Sequence, residues 1–76
     1  MKIKNYLQES SLTSKEVIRK IGEKNIESDD SYDNQVDLTF KSNFTYIKPS
    51  VLRYIQKNYN IVYLSFSENR IELEKK

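Results

Sequence analysis

Residues 35–55 read QVDLTFKSNFTYIKPSVLRYI, and this stretch decides the fold. Val36, Leu38 and Phe40 alternate with Asp37, Thr39 and Lys41, the period of a strand with one buried face. Phe44, Tyr46 and Ile47 form a connector expected to seal the edge of the core. Pro49 suits the first position of a helix, where its missing N–H costs nothing. Val51, Leu52, Ile55 and Tyr59 follow at helical spacing, with Arg53 and Lys57 on the opposite, solvent side. Asn58 and Asn60 are suitable stop residues, because asparagine tolerates left-handed backbone.

Working outward toward the C-terminus, Ile61–Phe66 is β-branched and aromatic throughout. It is apolar on both faces over Ile61–Leu64, which predicts a central, doubly covered strand. Ser67–Arg70 is a hairpin turn. Ile71 and Leu73 then alternate with Glu72 and Glu74 in a half-exposed final strand. Toward the N-terminus, Glu27–Asn34 is acidic and turn-rich. Its aspartates at 29, 30 and 33 miss the spacing of a calcium-binding EF-hand loop. Before it, Val17, Ile18 and Ile21 make the stripe of a first helix. Thr13 and Glu16 stand at capping-box spacing, and Leu12 and Val17 are placed as a hydrophobic staple. Gly22 weakens this helix and marks its end, or a close approach by a strand. Lys2–Leu7, with Ile3 and Leu7 on one side, reads as an opening strand.

The expected order is therefore β-α-β-α-β-β in one small domain over residues 1–76. The class is α/β bordering on α+β, a four-stranded mixed sheet with two helices. The strands holding Leu38 and Leu64 are joined through a helix and are expected to run parallel. The last two strands form an antiparallel hairpin. Two short helices cover one face of the sheet and leave the other thinly covered.

Composition narrows the function. Seventy-six residues bury only about 60% of the unfolded surface. A core that small supplies roughly 3–5 kcal/mol, so self-association or docking is a natural source of further stability. Cysteine and histidine are absent, which excludes disulfides, thiolate metal sites and His-dependent nucleophilic catalysis. A single glycine leaves no phosphate-cradling loop. A Ser–Lys pair at Thr13-Ser14-Lys15 or Lys48-Pro49-Ser50 is indistinguishable from a helix cap. The chain is thus read as no enzyme, with no cofactor and no metal. No membrane span or signal peptide is visible, and a cytoplasmic location is expected. Lys, Asn, Ile and Tyr richness points to an AT-rich genome, bacterial or phage. Thirteen Lys and Arg against eleven Asp and Glu give a net charge of +2, too balanced for strong electrostatic steering.

The central stretch resembles STAS-like domains, small relatives of the bacterial anti-sigma-factor antagonists. The resemblance rests on Val36, Asp37, Leu38, Phe40, Phe44, Tyr46, Ile47, Ser50, Leu52 and Ile55. Leu12, Ser14, Val17 and Ile21 add to it in the first helix. It implies a non-enzymatic module that binds an ATPase- or kinase-like regulator or another signalling protein. In phosphorylated members of that family the target serine lies in an Asp-Ser-Ser-Gly-type run at a helix start. Here Lys48-Pro49-Ser50-Val51 stand there, with proline at the modified position, so phosphate control would fall on Ser50 or on nothing. Tyr46, Lys48, Ser50, Arg53 and Tyr54 are the expected partner contacts, tyrosine and arginine being enriched at energetic centres of interfaces. A phage- or element-encoded inhibitor of a host enzyme fits the same residues. Nucleic-acid binding is the third reading, since Tyr46, Lys48, Arg53, Tyr54 and Lys57 mix aromatic and basic groups. A homodimer is also considered, formed by pairing of the final strand, Arg70–Leu73, with its copy.

Overall fold

The computed structural model describes residues 14–76. The strand read at Lys2–Leu7, the Thr13 cap and the Leu12 staple lie outside them. The described chain begins with helix α1, residues 14–21, and a single 3₁₀ turn, Glu23–Asn25. Strands β1 (Ile26–Asp29) and β2 (Gln35–Phe40) follow, then helix α2 (Pro49–Asn58), then β3 (Tyr59–Ser65) and β4 (Arg70–Lys75). Two helices and one four-stranded sheet make an α+β domain.

The sheet order is β1-β2-β4-β3, and every neighbouring pair is antiparallel. The mixed sheet expected from sequence is thereby corrected. β2 and β3 do run in the same direction, but β4 lies between them and pairs with both. The final strand is therefore central, and the homodimer through Arg70–Leu73 is ruled out by geometry, because both its edges are occupied. β3, expected at the centre, is an edge strand with Ile61, Val62 and Tyr63 exposed. The first half of the acidic segment, expected to be loop, is β1.

A bulge explains why β3 reads as a central strand. Ile61 faces Leu73 and Leu64 faces Ile71, although Ile61 and Leu64 are three residues apart. Cross-strand partners share a face, so the register slips by one residue at Val62. The apolar run Ile61–Leu64 is a one-sided pattern interrupted by a bulge, not a strand covered on both sides. A second bulge in β1 lets Ile26 and Asp29 face the same way, opposite Phe40 and Leu38.

One face of the sheet carries the core. Val36, Leu38 and Phe40 of β2 and Ile71 and Leu73 of β4 meet Val17 and Ile21 of α1 and Ile55 of α2, with Ile47 and Tyr59 at the margins. Phe40, Phe44 and Phe66 close one end, with ring centroids 4.8, 5.8 and 6.2 Å apart; such aromatic pairs add about 0.5–1.5 kcal/mol each beyond area burial. The opposite face is polar. There Arg70 binds both Asp37 carboxylate oxygens at 3.1 Å and also pairs with Glu72. The hydrogen bonds to Asp37 come first among the causes that raise the Arg70 pKa above its usual value.

Both buried serines are satisfied. Ser14 Oγ donates to Asp29 Oδ2 at 2.8 Å, which ties the start of α1 to the end of β1. Ser31 N donates to Asp29 Oδ1, and Ser31 Oγ accepts from Asp37 N. Asp29 is thus a structural acceptor. The β3–β4 turn covers residues 66–69, one residue earlier than the Ser67–Arg70 expected, because Phe66 has left β3 and Arg70 already belongs to β4; Asn69 is at φ 59°. α2 ends without a left-handed cap, since Tyr59 is already extended at φ −140°. Asn58 instead donates its side-chain amide to Tyr54 O at 2.9 Å.

A basic groove between the two helices

Gly22 shapes the first wall of the candidate site. Its φ of 108° is closed to ordinary L residues, and its N–H still reaches Ile18 O at 2.7 Å, ending α1. Asn25 then donates its backbone N–H to Gly22 O and its side-chain amide to Ile21 O, each at 2.9 Å. This turn reverses the chain and projects Lys20 and Lys24 beside the connector that leads into α2. Lys48 is the N-cap of α2, with no side-chain cap bond, and no acidic residue sits in that helix's first turn. The positive end of the helix dipole is therefore left uncompensated beside a lysine.

Between these walls is an open groove of about 280 Å³. Ile21, Phe44, Ile47 and Val51 form its apolar part, and Lys20, Lys24, Asn25, Tyr46 and Lys48 its polar rim. No carboxylate lines it. Its volume falls just below the roughly 300–1,000 Å³ typical of small-molecule sites, a size suited to one or two side chains of a larger ligand.

The five contact residues read from sequence do not form one cluster. Tyr46 and Lys48 both line the groove, and Tyr46 is 63% exposed rather than sealing the core. Ser50 and Arg53 are exposed on the outer side of α2 together with Lys57. Tyr54 sits on the flank facing α1, half-buried, with Lys20 Nζ 5.0 Å from its ring centroid and the Tyr59 ring at 6.4 Å. Sequence reasoning missed Lys20, Lys24 and Asn25. The signal for them was Gly22, which bends the chain so that the end of α1 meets residues 44–48.

Charge is sorted by layer. The segments on the helical side, residues 14–25 and 48–58, carry seven lysines and arginines against Glu16 and Glu23. The remaining described residues carry eight carboxylates against four cations. A near-neutral total thus conceals a basic helical side and an acidic sheet side, and a sorted field steers ligands where net charge does not.

Proton chemistry finds little here. Burial, then the neighbouring Tyr54, pushes Tyr59 above the usual tyrosine value, and the hydrogen bond to Glu68 does the same for Tyr63. Both shifts lead away from neutral pH. No cluster of three or more metal-ligating side chains occurs among the described residues, and none of their helices is long and apolar enough to cross a membrane.

Fold and groove together define a small α+β domain with an antiparallel sheet and a basic, apolar-floored cleft. No family model, curated protein or solved structure matches the chain. The STAS-like resemblance accordingly rests on the residue string alone.

Proposed function

We propose that this chain is a non-enzymatic protein-interaction module that docks an acidic segment of its partner on the helical side. The observation that carries this reading is the groove: three lysines and an unopposed helix start surround an apolar floor of side-chain size. A peptide with carboxylates flanking one aliphatic or aromatic anchor matches both features. Tyr46 and Lys48 flank the anchor from the rim, while Ser50 and Arg53, on the outer side of α2, are reached only by a partner that wraps past the groove. Tyr54 backs Lys20 from below. By docking there the module regulates its partner. The STAS-like string favours an ATPase- or kinase-like regulator or another signalling protein; inhibition of a host enzyme by a phage-borne module uses the same surface.

The basic helical side also supports a nucleic-acid reading, since lysines and Tyr46 lie together. The apolar floor and the acidic far side favour the peptide. The test titrates isotope-labelled protein with a peptide of glutamates around one leucine, and separately with single-stranded DNA. Amide shifts at residues 20–25 and 44–51 are expected with the peptide. The triple variant Lys20→Glu, Lys24→Glu, Lys48→Glu should weaken binding about 10-fold or more, several kT of local potential being reversed. Tighter binding to DNA, falling steeply with salt as phosphate contacts release counterions, would favour the nucleic-acid reading. Binding of neither probe would remove the groove as a site.

A further inference from the structure

The open face of the sheet carries the chemistry that the groove calls for. Cross-strand partners share a face, and the pairs Asp37–Glu72, Gln35–Glu74 and Tyr63–Glu72 place these residues on the polar side. Tyr63 is the aromatic among them and is 39% exposed. Glu72 stands across from it on β4, and its hydroxyl donates to Glu68. It is thus a ring set between two carboxylates. Asp37, Glu68, Glu72 and Glu74, offset by Arg70, give this surface a net charge of −3. On the helical side, Lys20, Lys24 and Lys48 give the groove rim +3, with no carboxylate beside them.

We infer that the groove of one copy receives the Tyr63 face of a second copy, so that the chain associates head to tail. The inference rests on the groove proposed above as a docking site and names a regulator of that site: a groove filled by another copy is closed to a partner. Charge complementarity selects the occupant. Groove against sheet face brings +3 to −3, whereas groove against groove or face against face brings like charges together. Tyr63 supplies the ring that fits a space of about 280 Å³ over Ile21, Phe44, Ile47 and Val51, and Glu68 and Glu72 meet the lysines at its rim. Groove and face lie on opposite sides of the domain, so two copies cannot satisfy both contacts at once. The contact is heterologous and open-ended.

Exposed ion pairs bind weakly, so the assembly is reversible. In sedimentation equilibrium at low salt the full chain should rise from 9.1 kDa past twice that mass across micromolar to millimolar concentrations. In about 1 M salt, where the Debye length is ~3 Å, it should return to the monomer. A groove variant (Lys20→Glu, Lys24→Glu, Lys48→Glu) and a face variant (Tyr63→Ala, Glu68→Gln, Glu72→Gln) should each stay monomeric with the wild-type far-UV spectrum. Mixed in equal amounts, they should form a 1:1 dimer and stop there, because only the face of the first and the groove of the second are intact. A wild type that stays monomeric at millimolar concentration and low salt overturns the inference. So does a mixture that stays monomeric or grows past two copies. The glutamate–leucine peptide separates this inference from the docking reading. If it shifts the groove amides of the face variant while the wild type stays monomeric, the docking site stands and self-association falls. If the 1:1 dimer forms but the peptide shifts nothing, the second copy is the groove's ligand and the partner segment falls.

Discussion

Ile61 and Ile71 are the same residue on neighbouring strands, and truncating each separates the observed strand order from its alternative. Ile71 is fully buried on central β4, between Leu38 of β2 and Leu64 of β3. Ile61 is 37% exposed on edge β3. Ile71→Ala removes three buried carbons, about 2.4 kcal/mol at ~0.8 kcal/mol each. The packed surroundings leave a cavity, which brings the loss to about 3–4 kcal/mol. Ile61→Ala opens onto solvent, leaves no closed cavity and should cost about 1 kcal/mol, much of it lost β-propensity that both variants share. Urea unfolding followed by circular dichroism at low micromolar protein reads both. With a slope of about 1 kcal/mol per molar, the midpoints should fall by roughly 3 M and 1 M. A domain this small holds only about 4–11 kcal/mol in total, so Ile71→Val and Ile61→Val provide a gentler pair, about 1 kcal/mol against a few tenths. Equal losses in both pairs, or a larger loss at Ile61, would refute the placement of β4 at the centre.

Two further outcomes follow from particular residues. Gly22→Ala should destabilise by about 1–3 kcal/mol, because φ 108° is strained for alanine. Its new Cβ would also stand 2.9 Å from Asn25 Nδ2; Asn25→Ala should cost less, and a neutral Gly22→Ala in thermal melts would count against the turn. For Tyr59, a folded-state pKa above the unfolded 10.0 means that the folded state holds its proton more tightly. Its contribution is then fully present below pH 10 and is lost as pH rises through the folded value. Tyr59→Phe should show less alkaline destabilisation than wild type in melts run from pH 8 to 12, and an unchanged profile would show that Tyr59 is not the titrating group.

Much of this fold was legible in local patterns. The alternation of Val36, Leu38 and Phe40, the helix opening at Pro49, the stop at Gly22 and the turn at Asn69 each follow from one residue's conformational limits or from periodicity. Strand order was not legible, because it depends on pairings between distant segments. The pattern at Ile61–Leu64 misled for a specific reason: a bulge shifts the two-residue period, and a shifted one-sided strand looks apolar all round. The Ile71-Glu72-Leu73-Glu74 pattern misled in the opposite sense. One polar face suggested an outer strand, yet a central strand needs only one apolar face when the sheet is covered on one side. At the candidate site Tyr46 and Lys48 were readable beside Pro49. Lys20 and Lys24 were not, since only the folded turn at Gly22 brings them across from residues 46–48.

The insertion of β4 between β2 and β3 also sets a timetable. About 35 residues separate β2 from the strand that bonds it to the rest of the sheet, and pairings so distant in sequence slow folding. Short helices such as α1 and α2 need the sheet to pack on, and β3 has no strand partner until residues 70–75 arrive. The apolar faces of all three earlier strands stay open for that interval, and it closes in one cooperative step when the last ladder zips.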